Sequence, residues 1–268
     1  MAFSVKQGLQ FYQFEIFDQQ PIFHAVLTRQ GGFSQSPYDS LNLGGTVGDD
    51  NKSVLANHQK IFQAFNLDFN SRFDVWQVHG SEIVCAENPR DLDQPHMRAD
   101  GILTDNPSVT LLMRFADCVP ILLFDPIKNV IGIIHAGWQG TTMDIAGAAI
   151  RKLTQCYGSE PGDVLAAIGP SICQSCYEVG LDVYNTFCEH YGQETEQFFI
   201  RKGRSLHLNL WEANRYNLLK AGVTHIEVSE ICTGCHPEMW YSHRVENSKT
   251  GRFGVLMRLN ADKGHGPF

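Results

Sequence analysis

The sequence predicts an α/β fold of mixed β-sheets covered by helices, a single-domain layered sandwich spanning residues 1–268. Three observations lead there. Apolar, β-branched runs outnumber helical patterns; several of those runs are apolar throughout, as strands buried on both faces are; and two long loops without either period interrupt the series. Taken in order, residues 23–28, 74–78, 109–114, 120–124, 130–134, 164–168 and 226–229 read as strands, and 253–259 follows in the same style. Helical patterns fall at 53–65, 143–157, 181–191 and 209–221, the last closed by Gly222 in a C-capping position. Stretches 31–50 and 86–100 are the irregular loops, where a binding site on such a scaffold collects its residues. No repeat, Gly/Ser linker or charge block marks a domain boundary.

With 43% hydrophobic and 19% charged residues, the chain can bury a sizeable core, which excludes disordered and collagenous classes. Lys and Arg number 21 against 29 Asp and Glu, and the net charge of −8 has the wrong sign for a phosphate backbone or an anionic membrane. A small-molecule partner is expected, with no nucleic acid and no membrane. The first residues lack the apolar core of an export signal and no segment has the roughly 20 apolar residues that span a bilayer, so a cytoplasmic location is expected. Eight cysteines are too dilute for a disulfide-stapled mini-protein, which leaves metal binding, catalysis or packing as their use.

Three segments put metal-grade side chains at strand ends. Trp76-Gln77-Val78-His79-Gly80 ends one strand, Ala116-Asp117-Cys118 precedes another, and Ile134-His135-Ala136-Gly137 ends a third. Two imidazoles and a thiolate are three N/S ligands, the number a catalytic zinc site uses while keeping a fourth position open. Each residue taken alone reads equally as a hydrogen-bonded core side chain. The pairs Cys173-Gln174-Ser175-Cys176 and Cys232-Thr233-Gly234-Cys235 have the local form of a structural zinc site. Their 55 intervening residues exceed the roughly 15–20 usual for zinc ribbons, and this argues against a joint site. Gly44-Gly45-Thr46-Val47-Gly48 has no lysine in the phosphate-loop position and reads as a turn, whereas Arg29, ahead of Gly31-Gly32, is placed to clamp an anion.

A set of ordered motifs spanning nearly the whole chain resembles one family, the YfiH-type laccase-domain proteins, described first as multicopper polyphenol oxidases and later as purine nucleoside phosphorylases. The resemblance is carried by Thr28-Arg29-Gln30-Gly31-Gly32-Phe33-Ser34, Ser40-Leu41-Asn42-Leu43-Gly44, Gln77-Val78-His79-Gly80, Ala99-Asp100-Gly101, Ala116-Asp117-Cys118-Val119-Pro120 and His135-Ala136-Gly137-Trp138-Gln139-Gly140. It continues through Ile168-Gly169-Pro170, Tyr177-Glu178-Val179-Gly180, Cys232-Thr233, Tyr241-Ser242-His243-Arg244 and Thr250-Gly251-Arg252. The chain departs in having Gln139 where the family often has Arg, and His243 where it often has Tyr.

The resemblance implies a zinc site on His79, Cys118 and His135, phosphorolysis of adenosine, inosine, guanosine and methylthioadenosine, and adenosine deamination. For those reactions Asp117 and Cys118 are the candidate catalytic residues, with Asp117 shuttling protons. Arg29 and Arg244 are candidates for phosphate, while the amides of Asn42 and Gln77 can bond ribose or base. Two rival readings use the same residues. A copper polyphenol oxidase would need a trinuclear centre that eleven scattered histidines do not supply. A metal-free hydrolase, for instance one editing peptidoglycan precursors, would use Cys118 as nucleophile beside a histidine.

Overall fold

In the computed structural model, residues 2–260 are described. Their strands are β1 (Ala2–Lys6), β2 (Leu9–Gln13), β3 (Ile22–Leu27), β4 (Arg72–Phe73), β5 (Ile83–Cys85), β6 (Gly101–Thr104), β7 (Thr110–Phe115), β8 (Val119–Asp125), β9 (Val130–Ala136), β10 (Leu165–Ile168), β11 (Glu178–Val179), β12 (Phe199–Lys202), β13 (Ser205–Leu208), β14 (His225–Val228) and β15 (Phe253–Leu259). The helices are α1 (Asn51–Ala64), α2 (Trp138–Thr142), α3 (Ile145–Tyr157), α4 (Leu181–Tyr191) and α5 (Leu210–Lys220).

Side chains alternate across a strand, so a strand apolar at every position needs a layer on each face. In β8, Leu122 and Phe124 point one way, into a core shared with Met113, Phe115, Val255 and Met257. Val119, Ile121 and Leu123 point the other way, against Ile145, Ile150 and Leu153 of α3 and Leu210 of α5. The outward residues Leu112 and Leu256 of β7 and β15 meet Ile61 and Phe62 of α1. The result is four layers, helix on sheet on sheet on helix. One six-stranded sheet runs β1-β2-β3-β15-β7-β4 and the other β14-β10-β8-β9-β6-β5, both mixed, while a small sheet β11-β13-β12 lies apart.

The predicted strands 23–28, 109–114, 120–124, 130–134, 164–168, 226–229 and 253–259 correspond to β3, β7, β8, β9, β10, β14 and β15. The run 74–78 does not form a strand. Pairing with β7 stops at Phe73, and from Val78 onward the backbone N–H groups turn to a carboxylate, that of Asp100. The predicted helix 143–157 begins two residues late, because Asp144, at a φ of 54°, caps α3 by accepting from Gly147 N–H. Gly222, at a φ of 95°, follows α5 as expected. The β1–β2 hairpin escaped the sequence reading. Its two-residue turn, Gln7 and Gly8, holds both residues at positive φ, a conformation that Asn-Gly would have signalled and Gln-Gly does not.

The two C-x-x-C pairs need a correction. Spacing along the chain argued against their meeting, but β10 and β14 are parallel neighbours, extended by a bridge between Ser171 and Cys232, so the loops leaving both strands emerge side by side. All four sulfurs lie within 4.8 Å of one another.

The irregular stretch after β4 is held by Asp74, whose carboxylate is buried and bonded by Arg90 Nε at 2.9 Å, Arg114 Nη1 at 2.9 Å and His96 Nε2 at 3.1 Å. Burial raises this carboxyl, but the hydrogen bond from His96 and the charges of Arg114 and Arg72 outweigh it and hold it well below the usual range. A depressed folded-state value adds stability above the unfolded value near 4, and that contribution is lost as pH falls further. Asp74→Asn is therefore expected to lower stability by roughly 3–5 kcal/mol at neutral pH, by stranding partly buried cations. It is also expected to flatten the acid limb of urea midpoints measured below about pH 4. An unchanged midpoint would show that the cluster adds nothing.

Candidate metal centre and cavity

The β8–β9 register builds the floor of the site. Val119 pairs with Ala136 and Pro120 with His135, so Cys118, just before β8, comes level with Gly137, just after β9. His79 reaches the same point from the loop after β4, at a φ of 59°. The donor atoms of His79, Cys118 and His135 all lie within 4.8 Å of one another. Gly137 leaves room for this approach, since a Cβ there would stand 3.0 Å from Cys118 Sγ and 3.2 Å from His79 Cδ2.

Asp100, which the motif reading passed over as a site residue, organises the trio. It is fully buried, and it accepts from the N–H groups of Val78, His79 and Gly80 at 2.7–3.2 Å and from His135 Nδ1 at 2.8 Å. Burial raises the Asp100 carboxyl, yet the hydrogen bond and charge of His135 bring it below its ordinary value. His135 Nδ1 thus carries its proton towards Asp100, and Nε2 is the atom left for the site. Burial would push the Cys118 thiol up, but the charge of His135 and the hydrogen bonds from His135 and His79 pull it down to about 6. The opposing thiolate raises His135 to about 9 against its desolvation. Two imidazoles, one oriented by a carboxylate, and a ready thiolate fit a borderline-soft cation such as zinc.

Above this floor opens a cavity of about 810 Å³. Its wall includes Trp76, Arg114, Trp138, Tyr177, His243, Arg244 and Arg252, together with the loop Gly44 to Val47. Arg244 lies over the Tyr177 ring at 4.9 Å and donates to the Glu178 carbonyl. Arg252, also missed as a site residue, has only Nη1 engaged, on the carbonyls of Thr250 and Gly251, and makes no ion pair among the described residues. Burial lowers this guanidinium from its ordinary value, while Cys118 and Asp117 pull it back up.

Other predicted site residues go elsewhere. Arg29 is not brought to the cavity: buried and stacked 4.4 Å from the Tyr241 ring, it binds Glu246 at 2.9 Å and the carbonyls of Asp39 and Pro237. Its cation ties two loops together. Asn42 is also fully buried, its amide divided between Asp49, the backbone of Gly44 and the N–H of Arg252, so it positions the Arg252 backbone. Gln77 lines the cavity, but both ends of its amide pair with the Arg114 backbone. Asp117 lines the cavity too, at a φ of 81°, with Oδ1 accepting from Thr233 Oγ1 and Oδ2 from Arg244 N–H, each at 2.7 Å. Those bonds suit a positioning residue better than a proton shuttle.

Fold and site together define a class: a four-layer mixed α/β protein with a His-Cys-His centre beneath an arginine-rich cavity. The chain belongs to the family described as multi-copper polyphenol oxidoreductase laccase, whose profile matches residues 23–260. A purine nucleoside phosphorylase from Bacillus subtilis, YlmD, is 35% identical over 236 residues, covering 84% of each chain. A purine nucleoside phosphorylase from Bacteroides thetaiotaomicron is 33% identical over 249 residues, 88% of this chain and 92% of that protein. The crystal structure of YlmD from Geobacillus stearothermophilus superposes with a TM-score of 0.90 at 32% identity, over 97% of this chain and 99% of that one. No helix among the described residues is long and apolar enough to cross a membrane.

Proposed function

We propose that this protein is a zinc-dependent purine nucleoside phosphorylase acting on adenosine, inosine, guanosine and methylthioadenosine, with adenosine deaminase activity. The observation that carries this reading is the convergence of His79, Cys118 and His135 under a cavity whose wall holds the guanidinium of Arg252, which makes no ion pair among the described residues. Relatives named purine nucleoside phosphorylase support it. A cavity of about 810 Å³ is in the range that encloses a small organic ligand.

Held by His79, Cys118 and His135, zinc would supply Lewis acidity for polarising an oxygen or acidifying water. The chain's own residues do the rest. Arg252 and Arg244 hold inorganic phosphate, so that a phosphate oxygen bonds to C1′ as the C1′–N9 bond breaks and the purine leaves with a proton. Trp76, Trp138 and Tyr177 offer ring faces to the base. Asp117 keeps the Arg244 backbone in register, and Asp100 keeps His135 Nε2 directed to the site. In deamination water replaces the amino group at C6 and ammonia departs, with no call on the phosphate subsite. Copper oxidase chemistry fits these residues less well. The two metal-capable groups found among the described residues hold two histidines and none, short of a trinuclear centre.

Purified protein is expected to release free purine from nucleosides only when phosphate is added, and to convert adenosine to inosine without it. Arg252→Ala is expected to raise the phosphate KM roughly 10–100-fold, the effect of losing a charge-assisted hydrogen bond, while deamination is largely kept. Arg29→Ala should lower the melting temperature and leave that KM alone. A shift in KM with Arg29 and none with Arg252 would move the phosphate subsite, and failure to turn over any nucleoside would remove the reading.

A further inference from the structure

The cluster Cys173, Cys176, Cys232 and Cys235 sits apart from the His-Cys-His centre, and nothing in the reaction above uses it. We infer that these four cysteines hold a structural zinc ion in a tetrathiolate site that fixes one wall of the cavity. The inference does not depend on the proposed activity.

The sulfur geometry carries it. A tetrahedral zinc with Zn–S near 2.3 Å sets its sulfurs about 3.8 Å apart. Cys176 and Cys235 sulfurs are 3.5 Å apart and those of Cys173 and Cys235 are 4.0 Å apart, and every sulfur has the other three within 4.8 Å. A disulfide brings two sulfurs to about 2.05 Å and has no use for two more around them. The backbone is also arranged for thiolate: the N–H groups of Cys173 and Cys235 donate to Cys232 Sγ at 3.2 and 3.3 Å. Such donors offset the negative charge that four thiolates concentrate on one cation. Cys232 is buried, Cys173 and Cys176 are half-buried and Cys235 is exposed, which leaves an ion a way in from solvent.

What the ion would fix follows from its neighbours. Cys176 precedes Tyr177, whose ring lines the cavity under Arg244. Thr233, inside the second pair, donates to Asp117, the residue before Cys118. The N–H of Ile172, beside Cys173, donates to the Asp117 carbonyl at 3.0 Å. Two loops that carry cavity residues are thus joined at the four sulfurs, across 55 residues of chain.

The test is metal counting on the full-length chain purified under reducing conditions. About two zinc ions per chain are expected for the unaltered protein, and about one each for Cys118→Ser and for Cys173→Ser/Cys235→Ser. Cobalt loaded into Cys118→Ser should give the intense absorption of a tetrahedral tetrathiolate, absent from the double variant. In that same Cys118→Ser protein, removing the metal with a strong chelator should lower the melting temperature. Should the double variant not fold, the Cys118→Ser measurements decide the matter alone. A Cys118→Ser protein without bound metal, a cobalt spectrum lacking thiolate bands, or an intact mass lower by two hydrogen atoms per cysteine pair, the mark of a disulfide, would each overturn the inference.

Discussion

Cys118→Ser is expected to remove about one metal equivalent per chain and to lower both proposed activities, phosphorolysis and deamination, by more than the roughly 100-fold typical of losing a residue that only supports a ligand. A serine hydroxyl stays protonated at neutral pH and is a poor ligand for zinc, whereas the Cys118 thiol, held at about 6, is ionised before any metal arrives. The same property separates metal chemistry from thiol chemistry. Committed to a metal, the sulfur should react slowly with iodoacetamide, and chelation should expose the thiol and abolish activity together. A cysteine nucleophile activated by His135 would show the reverse: fast alkylation of the native protein, protection by substrate and full activity after chelation. Metal content by mass spectrometry, followed by timed alkylation before and after chelation, distinguishes the two outcomes.

Much of the scaffold was legible because its central strands are buried on both sides. β8 and β9 have every residue buried, and such runs cannot be mistaken for loops. The edges other than β14 were not legible, nor was the interior strand β6. In β1 and β2 polar residues such as Ser4, Lys6, Gln10 and Gln13 dilute the pattern, and β4, β5 and β11 are too short to have a period. At the site, the residue types able to bind metal could be read from strand ends, but their partners could not. Arg29 and Arg252 look alike in a sequence, each within two residues of a glycine, and only the fold shows that one faces Glu246 and the other the cavity. The two C-x-x-C pairs failed for a related reason. Sequence separation measures distance along the chain, and a parallel strand pair such as β10–β14 cancels it.

Asp100 is the residue whose loss most sharply tests how the centre is held. Four donors converge on its carboxylate, three from the backbone of Val78, His79 and Gly80 and one from His135 Nδ1. Asp100→Asn keeps the size and replaces one acceptor by an NH₂ group, which presents hydrogen to hydrogen at part of this cluster. If that amide turns its NH₂ to His135, the ring must accept at Nδ1 and move its proton to Nε2, the atom the metal requires. If it turns the other way, buried backbone N–H groups lose their partner. The expected result is a metal affinity at the His-Cys-His centre lowered by roughly 10–100-fold, together with about 1–3 kcal/mol of lost stability from the unpaired groups. Competition titration with a zinc-binding dye reads the first and urea unfolding of metal-free protein the second. Asp100→Glu, which keeps the charge but overfills a fully buried position, should lower stability while retaining more of the affinity than Asn does. Equal metal affinity in all three proteins would leave Asp100 as a loop anchor alone, with no part in directing His135.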